Sequence, residues 1–196
     1  NSDAGANIKS RLSSRGFKEM GGGWYVKTVT PDAATKGKRA LLDFQGIMYY
    51  GDVYLNGERV GGTDYGYVGF EIDVTNKLKY GQENTVAVYA NTGEPKQSRW
   101  YTGGGLFRDV SLIYTDAQLY FLRHPLYITT TDNKTVHITA NVQCHTKQNT
   151  VAMRVIVTSP DGKEVKNEVY KVKRNRNYKR GQELAIPAFD IESPML

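Results

Sequence analysis

One cysteine, three histidines and no apolar run long enough to cross a membrane set the first limits on this chain. Cys144 stands alone, so no intrachain disulfide forms. His137, Cys144 and His145 lack the spacing of a zinc site, and no other cofactor is called for. Cys144 continues an alternating strand and is expected to pack as a small hydrophobe. The missing apolar run excludes a helical membrane span. Asn1 reads as the start of a processed chain, so the absence of a visible signal peptide decides nothing. The glycine triplet Gly103-Gly104-Gly105 lacks the company a phosphate loop needs. No Lys-Ser/Thr pair follows it, and it opens a strand where a phosphate loop opens a helix. No histidine precedes it and no Gly-x-Ser-x-Gly elbow occurs, which excludes a lipase-type oxyanion loop. The triplet is expected to bend the backbone sharply and carry it close to another surface.

Of the 196 residues, 39% are hydrophobic and 11% aromatic, enough for a sizeable core in one large or two small domains. Fourteen tyrosines and twenty glycines, with few helix-type repeats, favour an all-β protein. The net charge of +6 is local. Residues 171–180 carry Lys171, Lys173, Arg174, Arg176, Lys179 and Arg180 and no acid, so the rest of the chain is neutral. A nucleic-acid footprint spreads over a face and interleaves with aromatics. This run contains Tyr178 alone and is expected to be a solvated loop that discourages edge pairing.

Residues 1–18 are polar and without period, and are expected to be partly ordered. Strands are predicted over 24–29 and 39–44, the latter with Ala40, Leu42 and Phe44 on one face. Asn56-Gly57, between β-type runs, predicts a two-residue type I′ turn with positive φ at both positions. Phe70, Ile72 and Val74 alternate, as do Val86, Val88 and Ala90. A further strand is predicted from Phe107 to Ile113. Arg108 shares parity there with Val110 and Leu112, so it is expected to be buried and paired with Asp43, Asp52, Glu71 or Asp73. The texture changes near Thr115. Beyond it, Val136 to Val142 and Val151 to Val157 alternate cleanly, and Ser159-Pro160-Asp161-Gly162 turns the chain back into 164–172. Regular strand spacing suggests a second, small sandwich.

Four motifs then occur in order. They are Leu42-Asp43-Phe44-Gln45-Gly46, Val53 to Gly61 (VYLNGERVG), Gly66 to Thr75 (GYVGFEIDVT) and Ser98 to Val110 (SRWYTGGGLFRDV). Together they resemble the N-terminal sugar-binding domain of glycoside hydrolase family 2, which holds β-galactosidases, β-glucuronidases and β-mannosidases. Residues after 115 resemble that family's immunoglobulin-like domain. The resemblance implies a jelly-roll, galactose-binding-like β-sandwich over 19–115. An immunoglobulin-like β-sandwich follows over 116–196, expected to be C-terminally incomplete. It implies that a TIM barrel with the two catalytic glutamates lies outside this chain, so no residue here is catalytic. The Asn167-Glu168 dipeptide matches the family's acid/base signature but falls in a hairpin, which speaks against that role.

The family's first domain can send a loop to the edge of the sugar site. Ser98, Arg99, Trp100 and Tyr101 are the candidates here for a sugar-facing rim, and packing is the competing role for the last three. Ser98 stands where some relatives carry a metal- or sugar-binding Asp, so no metal is expected. Arg108, Asn56, Gly57 and the three glycines 103–105 are given structural roles. The implied partners are a carbohydrate such as a β-galactoside and the missing barrel, with no nucleic acid and no membrane. Oligomers are open, and a periplasmic or extracellular place is implied. A stand-alone carbohydrate-binding module and a structural β-sandwich pair are the competing readings.

Overall fold

The computed structural model describes residues 21–93, 104–174 and 181–191. Every strand pairing in it is antiparallel, and the chain divides into two compact units, Asn1–Thr115 and Asp116–Leu196.

The first unit contains β1 (Gly22–Val29), β2 (Arg39–Phe44), β3 (Ile47–Met48), β4 (Tyr50–Leu55), β5 (Glu58–Thr63), β6 (Phe70–Asp73), β7 (Asn84–Asn91), β8 (Gly105–Leu106) and β9 (Val110–Thr115). They form a four-stranded sheet β1-β7-β4-β5, a three-stranded sheet β6-β2-β9 and the short pair β3-β8. Alternation along the strands decides the core. Val53 and Leu55 from β4, and Val86, Val88 and Ala90 from β7, meet Ala40, Leu42 and Phe44 from β2 and Ile72 from β6. Two sheets thus face each other across one apolar layer, the arrangement of a β-sandwich. Phe44 is completely buried and its ring stacks on Phe70 at 5.1 Å.

Connections are held by short polar side chains. Asp73 ends β6 by accepting from the Thr75 amide at 3.1 Å and its hydroxyl at 2.6 Å, and it also pairs with Arg39 at 3.0 Å. Burial pushes the Asp73 carboxyl up, but those hydrogen bonds and the Arg39 guanidinium hold it below the usual carboxylate range. Residues 31–38, which connect β1 to β2, contain a 3-10 turn at Ala33–Thr35, capped by Asp32.

The second unit contains β10 (Leu119–Thr131), β11 (Thr135–Cys144), β12 (Thr150–Thr158), β13 (Glu164–Lys173) and β14 (Gln182–Asp190). Sheet β10-β11-β14 and the hairpin β12-β13 enclose a separate core. Val136, Ile138, Ala140, Val142, Leu184, Ile186 and Phe189 oppose Val151, Met153, Val155 and Val172. Cys144 is buried there, as its alternation required. Asp116 opens the unit by accepting from the amides of Leu119 and Gln118, which hold its carboxyl below the usual range.

The basic run needs a correction. Arg174 is half-buried, and its guanidinium donates to the carbonyls of Gln148, Cys144 and Thr146. It fastens the β11–β12 connection, a task that charge counting along the sequence does not show. Residues 175–180 lie outside the described residues.

Candidate functional site

Ser98, Arg99, Trp100, Tyr101 and Gly103 lie outside the described residues. Gly105 sits at φ +84°, and a Cβ placed on it would collide with the Tyr25 hydroxyl and lie 2.8 Å from Cζ of that ring. A Cβ on Gly104 would fall 2.8 Å from Thr92 Cγ2. The backbone therefore bends here and passes against Tyr25 of β1 and Thr92 after β7, too close for a side chain at either position unless those neighbours shift.

Arg108 does not behave as expected. It is exposed, its Nη1 donates to the Gln45 carbonyl at 3.3 Å, and its guanidinium lies over the Phe107 ring at 4.9 Å. The strand predicted from Phe107 begins only at Val110, and Phe107–Asp109 are irregular between β8 and β9. The parity of Val110 and Leu112 therefore does not reach Arg108. Of the proposed acidic partners, Asp52 pairs with Arg59 at 2.7 Å and Asp73 with Arg39.

Asn56 and Gly57 join β4 to β5 at φ +52° and +86°, with Leu55 opposite Glu58. The Asn56 side chain reaches across the sheet. Its Nδ2 donates to Asn84 Oδ1 at 2.9 Å and its Oδ1 accepts from the Thr85 amide at 3.1 Å. Asn84 is almost wholly buried and donates in turn to the carbonyls of Lys79 and Gln82.

The outward face of the β1-β7-β4-β5 sheet carries a feature that sequence reading missed. Register aligns Trp24, Tyr89, Asp52 and Gly62 in one row across all four strands. The next row holds Val26, Ala87, Tyr54 and Arg59. The Trp24 ring sits 5.2 Å from Tyr89 and 5.5 Å from Tyr54. Trp24 is 59% exposed and Val26 65%. Beside this aromatic group, Tyr50, Gly51, Asp52, Arg59, Gly62, Thr63 and Asp64 line an open groove of about 470 Å³. The sequence offered only Trp24 and Val26 two positions apart in the strand predicted over 24–29. The partners come from positions up to 65 residues away, since Trp24 faces Tyr89.

The comparisons bear on this unit first. Residues 20–103 match the family described as glycosyl hydrolase 2 galactose-binding domain-like. This stretch is thus similar to the galactose-binding-like domain of glycosyl hydrolase family 2. The chain is 40% identical over 95 residues to the β-galactosidase BoGH2A of Bacteroides ovatus, covering 48% of this chain and 11% of that enzyme. It is 29% identical over 191 residues to a β-glucuronidase of Bacteroides fragilis, covering 91% of this chain and 27% of the enzyme. A solved family 2 glycosyl hydrolase from Bacteroides cellulosilyticus superposes with a TM-score of 0.77 at 29% identity, covering 96% of this chain and 26% of that one. The chain thus spans a small part of the length of the relatives it matches.

Outside that matched stretch, the Asn167-Glu168 pair lies on β13. Glu168 accepts from the Tyr170 hydroxyl at 2.6 Å and pairs with Lys166 at 3.1 Å. Those two contacts hold its carboxyl below the usual range. A general acid needs the opposite shift. Glu168 is thus a structural ion-pair member on the strand. Among the described residues, no group of three His, Cys, Asp or Glu could hold a metal ion.

Proposed function

We propose that this chain is the non-catalytic N-terminal part of a retaining glycoside hydrolase of the β-galactosidase or β-glucuronidase kind. The observation that carries the reading is the coverage. One family 2 hydrolase matches 96% of this chain, both units included, while the chain accounts for 26% of that structure. In this reading residues 19–115 are the sugar-binding-type jelly roll and 116–196 the immunoglobulin-like sandwich. Both support a barrel that supplies two carboxylates about 5–5.5 Å apart. Ser98, Arg99, Trp100 and Tyr101 border its sugar site, where a tryptophan or tyrosine face suits the C–H side of a sugar ring.

The experiment is an activity assay of the purified chain on nitrophenyl β-galactoside and β-glucuronide. No turnover is expected from either substrate. Sustained turnover that Glu168→Gln abolishes would overturn both the non-catalytic assignment and the structural role of Glu168.

A further inference from the structure

An antiparallel sheet that turns one face to water usually lines that face with polar residues. The outward face of β1-β7-β4-β5 does the reverse at its centre. Trp24, Val26, Tyr54, Tyr89 and Tyr50 gather there; Trp24 and Val26 remain largely in solvent and Tyr50 partly so. Two glycines level the ground around them. A Cβ at Gly22 would collide with the Tyr89 hydroxyl, so Gly22 lets that ring lie across β1. A Cβ at Gly62 would collide with the Gly51 carbonyl and sit 3.3 Å from both Arg59 Nη2 and Asp52 Oδ1. Gly62 therefore keeps the polar floor of the groove open beside the aromatic group.

We propose that this face is a carbohydrate-binding platform, with one pyranose ring stacked on Trp24 and its hydroxyls held by Asp52 and Arg59. A pyranose has an apolar C–H side and a rim of hydroxyls, so it requires a flat aromatic next to paired donors and acceptors. The row supplies both. Asp52 Oδ1 accepts from Arg59 Nε at 2.7 Å, which fixes the two side chains against each other. Among the described residues, Asp52 Oδ2 and the two terminal nitrogens of Arg59 carry no further hydrogen bond. Both residues line the groove, so they offer an acceptor and two donor groups there for neighbouring hydroxyls. The groove volume suits one or two sugar rings. The platform needs neither a barrel nor residues 98–101, and its test reads binding and not turnover. A failure here leaves the hydrolase reading intact.

The chain has two tryptophans, Trp24 and Trp100. In a Trp100→Phe variant of the full chain, Trp24 emission alone reports the site. Titration with methyl β-D-galactopyranoside and with lactose is expected to shift that emission to the blue, with a dissociation constant on the order of 1 mM for so open a site. Calorimetry on Trp24→Ala and Asp52→Asn chains is expected to show binding weakened about tenfold or more, while Trp24→Phe retains part of it. Unchanged Trp24 emission with both sugars overturns the proposal. Equal affinity in the Trp24→Ala chain overturns it too. So does sedimentation showing a dimer in which Trp24 is quenched at rising protein concentration, because the face would then belong to a second copy.

Discussion

Replacing Gly105 by alanine probes the bend on which β8 and β9 depend. Two costs combine there. The backbone sits at φ +84°, a left-handed conformation that costs an L-residue about 1–2 kcal/mol. The new methyl also drives into the far end of the Tyr25 ring. That ring is 39% exposed, so it swings outward more easily than the strand shifts, and the lost contact adds up to about 1 kcal/mol. The expected total is about 2–3 kcal/mol. Gly57→Ala is the internal reference. It has the same hand at φ +86° with nothing within 4 Å, so it reports the backbone cost by itself. Both tryptophans belong to the first unit, so their emission during urea unfolding follows that unit alone. Adding Tyr25→Ala to Gly105→Ala should bring the coupling down to the Gly57→Ala value. If Gly105→Ala costs no more than Gly57→Ala, the close approach to β1 is wrong. If neither variant loses stability, the left-handed assignment itself fails.

Three further outcomes are expected. Arg108→Ala should cost less than about 1 kcal/mol in urea titration, because the side chain is exposed and holds one carbonyl and one ring. Arg174→Ala should cost about 2 kcal/mol in the second unit, read by hydrogen exchange at its strand amides in urea, with Arg174→Lys recovering part, since a single ammonium cannot span three carbonyls. The carboxyls of Glu168 and Asp190 titrate below their unfolded values. Tyr170 and Lys166 cause the first shift, Thr135 and Lys134 the second. Their stabilisation is therefore present above the unfolded value near pH 4 and is lost as pH falls through the lower folded values. Urea midpoints of the second unit should hold level from about pH 7 to 5 and decline below about pH 4, and Glu168→Gln should flatten part of that decline.

The strands read most reliably from sequence were those with one buried face. Val136 to Val142 and Val151 to Val157 alternate because each strand packs one side on the core, and the structure buries the apolar residues of both, with Val157 partly covered. Asn56-Gly57 was equally legible, since few residue pairs accept positive φ twice. Arg108 was misread because parity was carried across a break that two non-local pairings create, β8 with β3 and β9 with β2. The aromatic row was invisible for a related reason. Alternation gives the side on which Trp24, Tyr89 and Asp52 lie within their own strands. It does not say that β7 lies between β1 and β4. Lys166 and Glu168 occupy core-side positions opposite Val157 and Val155, a polar substitution that alternation alone would not place beside Phe189.

The Asn56-Gly57 turn also bears on how this protein ages. Asn-Gly is the dipeptide in which the following amide most readily attacks the side-chain carbonyl and converts asparagine to aspartate. In this turn the side chain is engaged at both ends, donating to Asn84 and accepting from Thr85. That attack requires both bonds to open, so the folded hairpin protects the residue that its own sequence makes vulnerable. Once converted, an aspartate would set a carboxylate oxygen against Asn84 Oδ1 where a donor had been. Asn84 is nearly fully buried and already gives both of its own donors to Lys79 and Gln82. The buried oxygen would keep only the Lys79 amide as a donor and would face a like-charged oxygen, and the damaged molecules would be the ones that open most often.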